Sequence, residues 1–179
     1  MEVTENGENV IKKYFEVPEF KFVNQDNVTV TNQSLKGKIY IADFIFLRCP
    51  TICPVMNLQM KRVYDAFKDD EQVLFVSHTI DPENDTVEVL KDYADKLEVD
   101  SKKWHFLHGD KKQTYDLAEK GYFAQAYEDM EAPGGFAHSG GFVLVDKDGH
   151  LRGVYDGTNA EDVDRLIKEI AILVSENSK

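Results

Sequence analysis

The run Ile39-Tyr40-Ile41-Ala42-Asp43-Phe44-Ile45-Phe46-Leu47 is apolar almost without interruption. A strand with one wet face alternates apolar and polar residues, so a run that does not alternate suits a strand buried on both faces. Lys36-Gly37-Lys38 turns the chain into this run. Beyond it, Met56, Met60, Val63, Tyr64 and Phe67 recur at steps of three and four, the period of an amphipathic helix, with Pro54 tolerable in its first turn.

The same alternation of buried strand and helix continues along the chain. Residues 72–77 read as a second strand, and Val87, Leu90, Ala94 and Leu97 mark a second helix. Trp104 to Leu107 reads as a third strand, and Lys111 to Lys120 as a third helix that Gly121 can close in the left-handed conformation. Phe142 to Val145 and Leu151 to Tyr155 flank Asp148-Gly149, a hairpin signal. A last helix starts from an Asn159 N-cap, with Glu161 and Asp162 in its first turn and Val163, Leu166, Ile167 and Ile170 on one face. Upstream, Phe20, Phe22, Val28 and Val30 alternate around a turn-rich centre and predict a hairpin. Units in this order imply a mixed sheet between helices, in the α/β class.

The chain has 179 residues, which sets an expectation of one domain. Residues 1–17 are polar and weakly patterned and read as a flexible N-terminal arm, with the domain over 18–179. Asp and Glu number 33 against 21 Lys and Arg, a net charge of −12. With no basic run, a nucleic-acid backbone is repelled, and nucleic acid is excluded as a partner. No stretch of about 18 apolar residues is present to span a bilayer, and the first residues lack the features of a signal peptide. The chain as written reads as soluble.

Both cysteines stand in Arg48-Cys49-Pro50-Thr51-Ile52-Cys53-Pro54, between the end of the buried strand and the start of the first long helix. That is the sheet edge where α/β proteins place their sites. A thiol near a helix N-terminus meets unpaired backbone N–H groups and the positive end of the helix dipole, and Arg48 adds a cation; all favour thiolate. Buried cysteines are commonly inert, but the only two of a chain, four apart at one strand-to-helix junction and bracketed by prolines, are not explained that way. A disulfide between them is sterically open if the loop relaxes, and the spacing also suits a metal held between two thiolates.

Gly37 to Phe46 followed by Cys49-Pro50-Thr51-Ile52-Cys53-Pro54 resembles the Sco/SenC family of thioredoxin-fold copper proteins. In order along the chain, Asp81-Pro82-Glu83-Asn84-Asp85-Thr86 resembles the family's Asp-Pro-x-x-Asp-Thr turn. Trp104 to Gly109 is similar to its Trp-x-Phe-Leu-x-Gly strand, and His138-Ser139 precedes a strand and an Asp-Gly hairpin as in the family. The resemblance implies a thioredoxin-like mixed sheet flanked by helices, with the hairpin near residue 20 as an N-terminal β-hairpin extension.

It also implies one copper ion per chain, as Cu(I) or Cu(II), held by Cys49, Cys53 and His138. Two thiolates and an imidazole suit both oxidation states of copper. The resemblance places Asp81 on a loop leaving the same sheet edge, where its carboxylate either orients a ligand or caps the next helix, and Arg48, where the family has a small Ser or Thr, stabilises thiolate while opposing a second positive charge.

The implied role is a metallochaperone that delivers copper to the dinuclear centre of cytochrome c oxidase. Its partner is the oxidase's copper-site subunit or another copper or thiol protein. The alternatives are a thiol–disulfide oxidoreductase with Cys49 and Cys53 as the redox pair, or a copper or redox sensor. The resemblance further implies a place on the extracytoplasmic, periplasmic side of a membrane, held there by an anchor missing from this sequence, and a monomer is expected. The remaining histidines, His78, His105, His108 and His150, read as packed or solvated.

Overall fold

The computed structural model describes residues 2–5, 8–12, 16–47, 52–122, 126–128, 136–138 and 141–177. Strands β1 (Glu2–Glu5) and β2 (Glu8–Lys12) pair antiparallel as a sheet of their own. Val17, just beyond them, is buried, and its N–H donates to the Gly149 carbonyl at 2.9 Å.

The predicted hairpin is present as β3 (Lys21–Val23) and β4 (Thr29–Thr31), with Phe22 opposite Val30 and both buried. Its turn is organised by Asn24, whose Oδ1 accepts the backbone N–H groups of Asp26 (2.9 Å) and Val28 (3.0 Å). Asn side chains favour turns through this kind of local bond. A short helix α1 (Asn32–Leu35) follows and buries Leu35.

The central sheet is built from β5 (Ile39–Ile45), β6 (Val73–Thr79) and β7 (Trp104–Leu107), which run parallel, and a C-terminal hairpin. Between the parallel strands come α2 (Ile52–Phe67) and α3 (Val87–Leu97). After β7 the chain forms α4 (Lys111–Asp116), which continues as a π-helical turn over Leu117–Gly121. Two short strands, β8 (Ala126–Glu128) and β9 (Phe136–His138), then pair antiparallel. The hairpin β10 (Gly141–Val145) and β11 (Leu151–Asp156) completes the sheet, and α5 (Ala160–Asn177) closes the chain. The strand order is β11-β10-β5-β6-β7, with β10 antiparallel to both neighbours. This is the mixed sheet flanked by helices expected from the sequence.

All of β5 is buried, as its apolar run requires. Successive residues alternate faces. Ile39, Ile41 and Ile45 join Met56, Met60 and Val63 of α2, Leu90 of α3, and Val163, Leu166 and Ile170 of α5 in one core. Tyr40, Ala42 and Phe44 join Phe22, Val30, Leu35, Leu117, Ala118 and Tyr122 in the other. Thr86 caps α3 by accepting the Val89 N–H, and Asn159 Oδ1 accepts the Glu161 and Asp162 N–H groups at the start of α5. Arg62 of α2 pairs with Asp164, which ties α2 to α5.

The β7 edge is closed by a side chain. Gln25 is buried; its Nε2 donates to the Trp104 carbonyl at 2.8 Å, and its Oε1 accepts the Phe106 N–H at 2.9 Å. One amide thus performs the pairing of a further strand. Among the described residues, no helix is long and apolar enough to cross a membrane.

Candidate metal and thiol site

The parallel strands β5 and β6 end at one edge; Cys53 opens the helix that follows β5, and Asp81 lies in the connection after β6. Cys53 is the second residue of α2, in the first turn of a helix fixed by Met56, Met60 and Val63 in the core. Backbone N–H groups in a first helical turn lack intrahelical acceptors, so this position favours a thiolate or an anion. The expected roles of Arg48 and Cys49 fall on 48–51, outside the described residues, and the Cys53 side chain also lies outside them. His138 ends β9, in register with Ala126 of β8; its side chain is outside the described residues as well.

Asp81 is buried in the connection between β6 and α3. Both of its carboxylate oxygens accept the Asn84 side-chain amide at 3.0 Å, and its N–H donates to Thr79 Oγ1 at 3.0 Å. A second carboxylate of the same turn does what the sequence reading did not assign. Asp85 Oδ2 accepts the Leu47 N–H at 3.1 Å, two residues before Cys49, and the Thr79 hydroxyl at 2.7 Å. The Asp-Pro-x-x-Asp-Thr turn contained this residue, but only the folded chain brings it to the end of β5.

Beneath α2 lies another polar group that sequence reasoning passed over. Asp43 is fully buried in β5; Ser77 of β6 donates its hydroxyl to Asp43 Oδ1, and Trp104 Nε1 donates to Ser77 Oγ at 3.0 Å. Asp43 Oδ2 has no hydrogen-bond partner among the described residues. Burial pushes the carboxyl up to about 7, against the opposing effect of the Ser77 bond. The signal was the single charged residue inside the apolar run. On α2, Asn57 is also buried and donates to Tyr93 Oη at 2.5 Å, which joins α2 to α3.

The histidines read as packed or solvated have ordinary surroundings, with one exception. His105 Nδ1 accepts from Asn24 Nδ2 at 3.2 Å, and His108 Nε2 lies 2.9 Å from the Pro82 carbonyl. His78 is fully buried among Phe20, Phe22, Phe44 and Tyr122, at ring-centroid distances of 5.8, 5.1, 5.1 and 5.9 Å, with neither ring nitrogen partnered among the described residues. Desolvation lowers it to about 3, so it is a neutral ring.

Asp146, Asp148 and His150 bring ligand-type atoms within 4.8 Å of one another at the β10–β11 turn. Asp146 already accepts the backbone N–H groups of Asp148 and His150 and the Arg152 guanidinium, so the cluster is explained by the turn.

The SCO1/SenC family model matches residues 9–175. The SCO1 protein homolog of Bacillus subtilis is 32% identical over 157 residues, which covers 87% of this chain and 81% of that protein. The solved structure of BsSco, a member of the Sco family of cytochrome c oxidase assembly proteins in which a disulfide switch was identified, superposes with a TM-score of 0.79 at 32% identity, covering 90% of this chain and 94% of that one. ScoI of Bradyrhizobium japonicum, solved with copper bound, gives a TM-score of 0.69 at 25% identity, covering 84% and 98%. With the thioredoxin-like sheet, the strand-to-helix junction that carries the cysteines and a match over nearly the whole length, the chain belongs to the SCO1/SenC family.

Proposed function

We propose that this protein is a copper-binding metallochaperone that delivers copper to the dinuclear centre of cytochrome c oxidase, with Cys49, Cys53 and His138 as the ligands of its cargo. The observation that carries this reading is the position of Cys53 in the first turn of α2, directly after the central strand, in a chain matched by the family model over 9–175. Copper bound to ScoI of Bradyrhizobium japonicum supports the choice of metal. The donor set fits it. Cu(I) accepts two soft thiolates in low coordination, and an imidazole completes a site for either oxidation state. One ion per chain follows from one such set.

The partner in this reading is the oxidase subunit that holds the copper centre, or another copper or thiol protein. The protein works as a monomer on the extracytoplasmic side of the membrane, anchored to it.

A second reading is favoured by the disulfide switch identified in BsSco: Cys49 and Cys53 exchange disulfides with a partner's cysteines. The variant His138→Ala separates the two. As a copper protein, the variant retains a two-thiolate Cu(I) site but loses its Cu(II) absorption, because Cu(II) favours nitrogen ligation more than Cu(I) does. As an oxidoreductase, it keeps wild-type disulfide reductase rates, which depend on thiolate fraction, nucleophilicity and access. An unchanged Cu(II) spectrum removes His138 from the ligand set; if the wild type also reduces disulfides rapidly, the second reading is favoured.

A further inference from the structure

The segment that carries Cys49 is fastened just before it leaves the sheet. The Ile80 N–H donates to the Ile45 carbonyl at 2.9 Å, at the end of the pairing between β5 and β6. Two residues further along, the Leu47 N–H donates to a side chain, Asp85 Oδ2, at 3.1 Å. The same oxygen accepts the Thr79 hydroxyl at 2.7 Å, Thr79 Oγ1 accepts the Asp81 N–H at 3.0 Å, and the Asp85 N–H donates to the Asp81 carbonyl at 2.8 Å. Thr86, the next residue, caps α3. A carboxylate that is only 1% exposed is therefore locked between the end of β6 and the start of α3, and it grips the backbone two residues before Cys49.

Two thiols that close a disulfide or share one metal ion need a defined separation. Cys53 takes its backbone position from α2, which Met56, Met60 and Val63 anchor in the core. The backbone position of Cys49 depends on where the chain leaves β5, and the Leu47–Asp85 bond sets that point. We propose that Asp85 is a positioning residue for the Cys49–Cys53 pair, holding the backbone ahead of Cys49 so that the two sulfurs meet. This rests on the reading of the two cysteines as the reactive pair.

The test is the equilibrium of the reduced protein with glutathione disulfide, in which two protein thiols become one disulfide and each glutathione disulfide yields two glutathione thiols. It gives the effective concentration of one cysteine at the other, and Cu(I) competition against a chelator gives a second readout. Asp85→Ala lowers the effective concentration tenfold or more and weakens Cu(I) binding in parallel. Asp85→Asn, which keeps an acceptor oxygen, stays within about threefold of wild type. Leu35→Ala in α1, in the core on the other face of the sheet, lowers stability without touching this segment or the core that holds α2 and leaves both readouts unchanged, so a general loss of stability is told apart from a loss of position.

Where Asp85→Ala does not fold, Thr79→Val removes a hydroxyl donor to the carboxylate and lowers the effective concentration at least threefold. A folded Asp85→Ala variant within twofold of wild type overturns the proposal, as does a Thr79→Val variant within that range when Asp85→Ala is unfolded. A wild-type protein that neither closes the disulfide nor binds Cu(I) overturns the reading of the cysteine pair, and this proposal with it.

Discussion

Asp43 shows what one buried carboxyl does to the pH dependence of the whole chain. Its folded-state value, about 7, lies above the ordinary carboxylate value of the unfolded chain, so the folded protein holds a proton that the unfolded one releases. The stabilisation is therefore complete below about pH 4 and is lost as pH rises to about 7. In Asp43→Asn nothing titrates at this position. Measured by urea denaturation, the stability of the variant relative to wild type should rise by roughly 4 kcal/mol between pH 4 and pH 8. A difference that does not vary with pH contradicts the assignment. At this scale the sequence was only partly legible. Cys49, Cys53 and His138 stand out by residue type and spacing, whereas Asp43 and Asp85 owe their roles to Ser77 and Leu47, distant in sequence and brought near by the β5–β6 pairing.

At the scale of elements, hydrophobic period and caps were sufficient for the long pieces. The apolar run of β5, the period of α2, and the Asn159 cap of α5 each depend on neighbours in sequence, and each stands where those neighbours place it. The β3–β4 hairpin was legible from its turn-rich centre, but short pieces without such a signal were not. Strands β8 and β9 have three residues each, too few for a period, and the π-helical turn over Leu117–Gly121 reads in sequence as the end of an ordinary helix. The sealing of β7 by Gln25 is likewise a long-range effect, since the side chain reaches backbone groups 79 and 81 residues away. Gln25→Ala leaves the Trp104 carbonyl and the Phe106 N–H without these partners. A loss of about 2–4 kcal/mol is expected for two such groups in urea denaturation. A loss under about 0.5 kcal/mol would mean that the amide does not carry the edge.

Across the whole molecule, two cores cover opposite faces of one mixed sheet, and β5, which leads in sequence to the cysteines, lies between them. The division follows from β5, buried on both faces, and it is why fold and site could be read together: the same run that demands two covering layers ends at the cysteines. The net charge of −12 sets a solvated surface and repels nucleic acid, but it carries no information on which partner the site serves. The central claim is that the cysteine site holds one soft copper ion. Anaerobic titration of the reduced protein with Cu(I), followed by desalting and metal analysis, tests it most directly. One Cu(I) retained per wild-type chain and none in the Cys49→Ser/Cys53→Ser double variant is the predicted result. A wild-type stoichiometry near zero, or undiminished retention by the double variant, would contradict it.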